Sequence, residues 1–159
     1  MHPNADLLKR LFTALDQHQP HNMTNCYAVN AHFKDIAFDL DGRPQIQAMW
    51  EMVTGVEDLH AVFEILHADD TSGRARVVDT YTYTATGHPV RNEISSSFIF
   101  RDGLIVRQED RCNALSWGIQ ALGPVQGLLS WLAPWKRREM AMSKLDEFIK
   151  QTAGEGANA

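Results

Sequence analysis

The chain lacks the features that mark several functional classes. It has only two cysteines, Cys26 and Cys112. Two thiols build neither a disulfide framework nor a zinc motif, so a reduced, cytosolic setting is expected. No apolar run is long enough to span a bilayer. The N-terminus, MHPNADLLKR, carries charge where a secretory segment needs its apolar core, which again favours a cytoplasmic location. There is no basic stripe. Fifteen Lys and Arg against 20 Asp and Glu give a net charge of −5, which argues against a nucleic-acid partner. The seven His form no ligand motif: His18 and His21 bracket a loop, and His60 and His67 have opposite strand parity. Neither a metal nor an organic cofactor is expected. There is no internal repeat.

What remains is an ordinary globular composition. Over 159 residues, 44% are hydrophobic and 22% charged, enough for one domain with a real core. Asn4 reads as a helix cap, and Leu7, Leu8, Leu11, Phe12 and Leu15 recur at helical spacing up to Gln17. A short second helix is expected over Met23 to Val29, then a strand from Ala31 to Phe38 carrying Asp35. Asp41-Gly42 reads as a turn. Pro44 suits a first helical position, with Ile46, Met49, Trp50 and Val53 as the buried stripe. Four longer strands follow: Leu59 to Ala68, Arg74 to Ala85, Val90 to Arg101, and a last one after Gly103. Helices ahead of an antiparallel run of strands make an α+β domain.

The segment NEISSSFIFRDGLIVRQEDRCNALSW, from Asn92 to Trp117, is the most informative. Asp102-Gly103 between alternating apolar residues is a strong hairpin signal. A three-residue loop, Arg101 to Gly103, best separates an apolar face from a charged one. It places Asn92, Ile94, Ser96, Phe98, Phe100, Leu104, Val106, Gln108, Asp110 and Cys112 together. Glu93 falls opposite Arg111 on the other face. Asp110 therefore points into the apolar side. With Thr86-Gly87 as a two-residue loop, Asp79 faces Ile94, which faces Asp110. The two acids then share one cross-strand row, their backbones about 9–10 Å apart. Burial and mutual repulsion would separate their pKa values, leaving one as acid and the other as base. Tyr81, Tyr83 and Trp50 read most simply as core walls, though either Tyr hydroxyl could orient a ligand. Asn92, Ser96 and Gln108 are candidate polar lining. A strand Asp is commonly a salt-bridged residue rather than a catalyst, and that reading stands beside the functional one.

FIFRDGLIVRQEDRCNALSW, together with the preceding order of helices and strands, resembles the nuclear transport factor 2-like superfamily, in particular its SnoaL-like branch. The resemblance covers roughly residues 4 to 117. It implies a cone of curved antiparallel sheet with N-terminal helices packed on the concave face, a deep pocket and often a homodimer. The expected division is a cone domain over residues 1–122, a C-terminal helical extension over 123–151 and a flexible tail over 152–159. Members include isomerases, dehydratases, cyclases, epoxide hydrolases and non-catalytic binding domains, so fold alone assigns no activity. The paired Asp residues of limonene epoxide hydrolase correspond to Asp79 and Asp110, but that family's bridging Arg falls on Val77. The general base of ketosteroid isomerase corresponds to Asp35, and its oxyanion donors fall near Leu11 and Ser96. Leu11 cannot donate a hydrogen bond. The resemblance implies a cofactor-independent acid–base enzyme acting on a small apolar or polycyclic oxygenated ligand through Asp110, Asp79 and Asp35. The rival is a ligand-binding or interaction domain that kept the pocket without the chemistry. In GLLSWLAPWKRR, the residues Leu128, Leu129, Trp131 and Leu132 are expected to close the wide end of the cone or meet a partner. Membrane contact is not expected.

Overall fold

Pro3 sets the first helix. In the computed structural model, which describes residues 1–157, α1 spans Pro3–Asp16 with Pro at its first turn and His2 as the cap. His2 Nδ1 accepts the Asn4 amide at 3.1 Å, so Asn4 is not the cap. Its side chain is buried and donates to the Asp69 carbonyl at 2.9 Å. The expected stripe from Leu7 to Leu15 is buried. Pro20 likewise starts α2, Pro20–Thr24, earlier than expected, and β1 begins already at Tyr27 (Tyr27–Lys34). Asp35 thus lies in the turn after β1, not within a strand. A short β2, Asp39–Asp41, follows, then α3, Arg43–Thr54. Four longer strands come next: β3 His60–Ala68, β4 Ser72–Tyr83, β5 His88–Arg101 and β6 Leu104–Cys112. Three helices end the chain: α4 Ala114–Leu122, α5 Pro124–Leu132 and α6 Pro134–Ala157.

The fold is α+β: one curved sheet in the order β2-β1-β6-β5-β4-β3, antiparallel except where β1 runs parallel to β6. Helices cover the concave face, where Leu8, Leu11, Phe33, Met49, Phe98 and Phe100 form the core. Leu145 of α6 is fully buried against that core, so the last helix packs as part of it. Helix α6 also runs beyond Gln151, with residues 152–155 exposed; the last two residues of the expected tail lie outside the described residues.

Both hairpins differ from expectation: β4–β5 by two residues, and β5–β6 by one at the turn and by two beyond the bulge. The β5–β6 turn has two residues, Asp102 and Gly103, with φ of 53° and 76°. That is the mirror-image turn whose twist suits a hairpin. Arg101 then pairs with Leu104 and Phe100 with Ile105, while Ile99 pairs with Arg107. Val106 is the extra residue of a bulge. The bulge turns Ile105 into the core and leaves Gln108 and Asp110 inward. The β4–β5 connection has four residues, so Tyr83 pairs with His88 and Asp79 with Asn92 rather than with Ile94. A two-residue slip keeps every side chain on its face, whereas a one-residue slip would not. Glu93 and Arg111 accordingly point outward but do not face each other. Glu93 pairs with Arg91 at 2.7 Å, and Arg111 with Glu109 at 3.1 Å.

Helices α4 and α5 meet backbone to backbone. A Cβ on Gly127 would lie 2.4 Å from the Ile119 nitrogen. This close approach turns the large side chains of α5 away from the body. Leu128, Leu129, Trp131 and Leu132 are exposed and do not close the cone.

Gly73 shows how tightly the sheet packs on α1. A Cβ there would sit 2.8 Å from Phe100 Cε2 and 3.2 Å from Leu8 Cδ1. Phe100 is buried and stacked on Phe98, so it has little room to give. Gly73→Ala is expected to lower unfolding stability by about 1–3 kcal/mol, measured by denaturant titration. An unchanged midpoint would show that the core relaxes freely there.

Candidate active site

Three carboxyls share the helix-covered side of the sheet. Asp110 is in the middle. It pairs with Ser96 on β5, and Ser96 pairs with Ala75 on β4. On its other side runs β1, where Phe33 pairs with Gln108 and Lys34 with Glu109. Asp35 is the next residue along, so it is the acid beside Asp110. The expected common row of Asp79 and Asp110 does not form. Asp79 lies two same-face positions away, beyond Val77–Ile94–Cys112, because both hairpin registers moved. All three side chains are closely surrounded by protein but keep some accessible surface.

Asp110 ends a buried chain of hydrogen bonds. Trp50 Nε1 donates to the Tyr27 hydroxyl at 3.2 Å. Tyr27 donates to Gln108 Oε1 at 2.5 Å. Gln108 Nε2 donates to Asp110 Oδ1 at 3.0 Å. Tyr27 and Gln108 are fully buried. Burial pushes the Tyr27 phenol well above its ordinary range, so it stays protonated as the donor. Every donor in the chain points toward the carboxylate, which favours the ionised form.

The local charges oppose that ionisation. Burial raises Asp110 to about 7, partly offset by Gln108 and the nearby Ser96 hydroxyl, with the Asp35 charge adding to the rise. Ser96 Oγ lies close enough to favour the carboxylate, yet completes no hydrogen bond. Asp79 is also raised to about 7, by burial first and then by the charge of Asp110. Asp79 Oδ1 and Ser96 Oγ are the two buried side-chain oxygens without a partner among the described residues. Such groups are uncommon inside proteins and call for an explanation.

Asp35 differs in kind. Its Oδ1 accepts the amides of Ala37 at 2.7 Å and Phe38 at 2.6 Å, which shapes the turn. Burial still raises it, against those two amides and the positive charges of Arg138 and Arg137. Both arginines come from α6 and reach carbonyls rather than carboxylates. Arg137 donates to Ile36 O at 2.8 Å and Ser130 O at 3.1 Å, and Arg138 to Asp35 O at 3.3 Å.

The other candidates divide by depth. Trp50 and Gln108 belong to the hydrogen-bonded chain. Asn92 lies opposite Asp79. Tyr81 accepts from Trp117 Nε1 at 2.8 Å and is raised to about 12, chiefly by burial, with Asp79 among the neighbouring charges. Tyr83 sits nearer the rim, with Trp117 edge-on and Lys144 Nζ 5.7 Å from its ring centre. Tyr27, Trp117 and Arg137 join the site without having been singled out in the sequence. Tyr27 was hidden by reading its segment as helix, although Pro20 signals a helix that starts and ends earlier. Two open depressions lie elsewhere, one beside Asp58, Thr80 and Arg91 and one beside Arg76, Glu93 and Arg111. Neither is bounded by the three acids, and neither offers comparable chemistry.

Asp79 supplies a direct test of the electrostatics. Its folded pKa of about 7 lies above the ordinary value of 3.8. The protonated form is fully kept below the lower value. Stability is then lost as pH rises through that value toward 7, and the full cost is present above it. Asp79→Asn removes the charge at similar volume. It is expected to stabilise the fold by roughly 2 kcal/mol at pH 8 and by little at pH 4. Thermal or urea unfolding at both pH values checks this. A mutant less stable than wild type at pH 8 would show that the carboxylate makes a stabilising contact.

Comparison with known proteins agrees with this architecture. The SnoaL-like domain profile matches residues 8–108, ending two positions before Asp110. None of the curated proteins matches the chain by sequence. Among solved structures, a proposed polyketide cyclase from Silicibacter sp. TM1040 is 21% identical with a TM-score of 0.65, covering 74% of this chain and 94% of that one. A proposed isomerase from Bacillus subtilis is 20% identical with a TM-score of 0.64, covering 77% and 94%. An LEH-like epoxide hydrolase from M. tuberculosis is 14% identical with a TM-score of 0.60, covering 83% and 96%. At these identities the likeness is one of fold. With the profile spanning most of the cone, the chain belongs to the SnoaL-like domain family, and its architecture is that of the nuclear transport factor 2-like fold.

Proposed function

We propose that the chain is a cofactor-independent acid–base enzyme acting on a small, apolar, oxygenated molecule. The observation that carries this reading is the contrast between two raised carboxyls. Asp110 receives the Gln108 N–H, which suits the ionised form. Asp79 Oδ1 is buried without a partner, which suits the neutral acid. Near neutrality one carboxylate and one carboxylic acid then lie on the same inner face of the sheet, the division of labour that proton-transfer catalysis requires. Asp110 takes a proton from the substrate or from an attacking water. Asp79 gives one to the oxygen on which negative charge develops. One proton exchanged with solvent restores both. Trp50, Tyr27 and Gln108 position Asp110. Asp35 adds a second negative charge that keeps Asp110 basic.

Cyclase, isomerase and epoxide hydrolase names among the structural neighbours fit this class of chemistry. The ligand-binding alternative rests on Val77, which is buried where a bridging guanidinium would stand in an epoxide hydrolase of this fold. No salt bridge joins Asp35, Asp79 or Asp110 to a Lys or Arg among the described residues. The reading includes a homodimer through the outer face of the sheet, where Val62 and Ile99 are exposed.

The test is turnover of apolar epoxides and enolisable ketones, followed across pH. Asp110→Asn and Asp79→Asn are each expected to lower kcat at least about 10²–10³-fold. Tyr27→Phe is expected to lower it about tenfold and to shift the acidic limb of the pH profile, because it acts through Gln108. Saturable ligand binding without turnover, unchanged in both Asn variants, would make the binding-domain reading correct.

A further inference from the structure

We infer that the α4–α5 hairpin, with the start of α6, is a surface for docking on an anionic lipid bilayer. Its packing is inverted relative to a helix pair folded for water. The contact between the two helices is made by Gly118 and Gly127, close enough that a Cβ on Gly127 would collide with the backbone of Gly118. Small residues at the contact with large apolar residues outside is how helices pack in an apolar solvent. Along α5, Val125, Leu128, Leu129 and Leu132 recur at helical spacing and are all exposed, from 44% to 70%. Trp131 and Trp135 are exposed beside them, at 47% and 64%. Among the described residues, no other element covers this stripe.

Charge selects the occupant. From Ala114 to Trp135 there is no charged residue, and the first three that follow are Lys136, Arg137 and Arg138. The first carboxylate is Glu139, on the next turn. Arg137 and Arg138 are bonded inward, so Lys136 is the exposed cation of the three. An uncharged apolar stripe with Trp at its margin and a cation behind it matches the interface of a bilayer with anionic headgroups. Each helix has nine residues, and among the described residues no helix is long and apolar enough to cross a membrane. The hairpin therefore lies in the interface of one leaflet. Arg137 bonds both the Ser130 carbonyl on α5 and the Ile36 carbonyl beside Asp35, so the docked surface adjoins the carboxyl site. An apolar ligand could enter from the lipid.

Flotation with phosphatidylcholine vesicles, with and without phosphatidylglycerol, tests the inference on the full chain. The protein is expected to float with the anionic vesicles, with Trp emission shifted to the blue and quenched by brominated acyl chains. Leu129→Glu and Trp131→Glu, both at exposed positions, should each lower partitioning at least about tenfold while the thermal midpoint is kept. Lys136→Glu should weaken binding to anionic vesicles alone. Absence of flotation with either composition would overturn the inference. So would Leu129→Glu halving the mass in light scattering while vesicle binding is unchanged, which would assign the stripe to a second copy of the chain.

Discussion

The site depends on the inward side of β6. Once Ile105, Gln108 and Asp110 face the core, a carboxyl must sit among apolar neighbours, and the rest of the site answers that demand. Gln108 cannot be buried without partners for both ends of its amide. It accepts from Tyr27 and donates to Asp110. Tyr27 in turn takes the indole N–H of Trp50, which anchors α3 to the sheet. One directional chain thus satisfies four buried side chains and delivers a single donor to the carboxylate.

Against that donor stand desolvation and the charge of Asp35. Asp35 is tied into a turn by two backbone amides and screened by arginines from α6. Asp79 has no comparable support. The three carboxyls are therefore chemically distinct despite their common residue type: one shapes a turn, one receives a polarised chain, and one is left bare. Natural folds keep a bare buried acid at a cost in stability, which is more readily understood at a functional site than at a purely structural one.

Away from the β5–β6 turn the faces of the strands are legible from the sequence because alternation has a period of two and both register differences are even there; Ile105, expected on the outer face, is buried because the turn and bulge reverse the residues beside it. Asp79, Asn92, Ser96, Gln108 and Asp110 could be assigned to the inner side on that ground alone. The neighbours of Asp110 could not. Its adjacency to Asp35 depends on the parallel pairing of β1 with β6, strands far apart in sequence, and no local pattern encodes that partnership. The bulge at Val106 was equally hidden, since a two-residue turn plus a bulge and a three-residue loop present almost the same alternation. At the other end, the Leu- and Trp-rich composition of α5 points to burial or a partner. The glycine contact that turns the stripe outward is a matter of spacing between two helices, which composition does not report.

The central claim is that burial raises Asp79 and Asp110 toward neutrality, where they divide into a carboxylic acid, Asp79, and a carboxylate, Asp110. The measurement that addresses it most directly is a carbon-13 NMR titration of the aspartate side-chain carboxyls, assigned with Asp79→Asn and Asp110→Asn. Both carboxyls should titrate near pH 7, as burial requires, and removing the charge of Asp110 should lower the midpoint of Asp79. Midpoints for both in the ordinary carboxylate range, below about 5, would contradict the account, because two fully ionised acids could not divide the roles of acid and base.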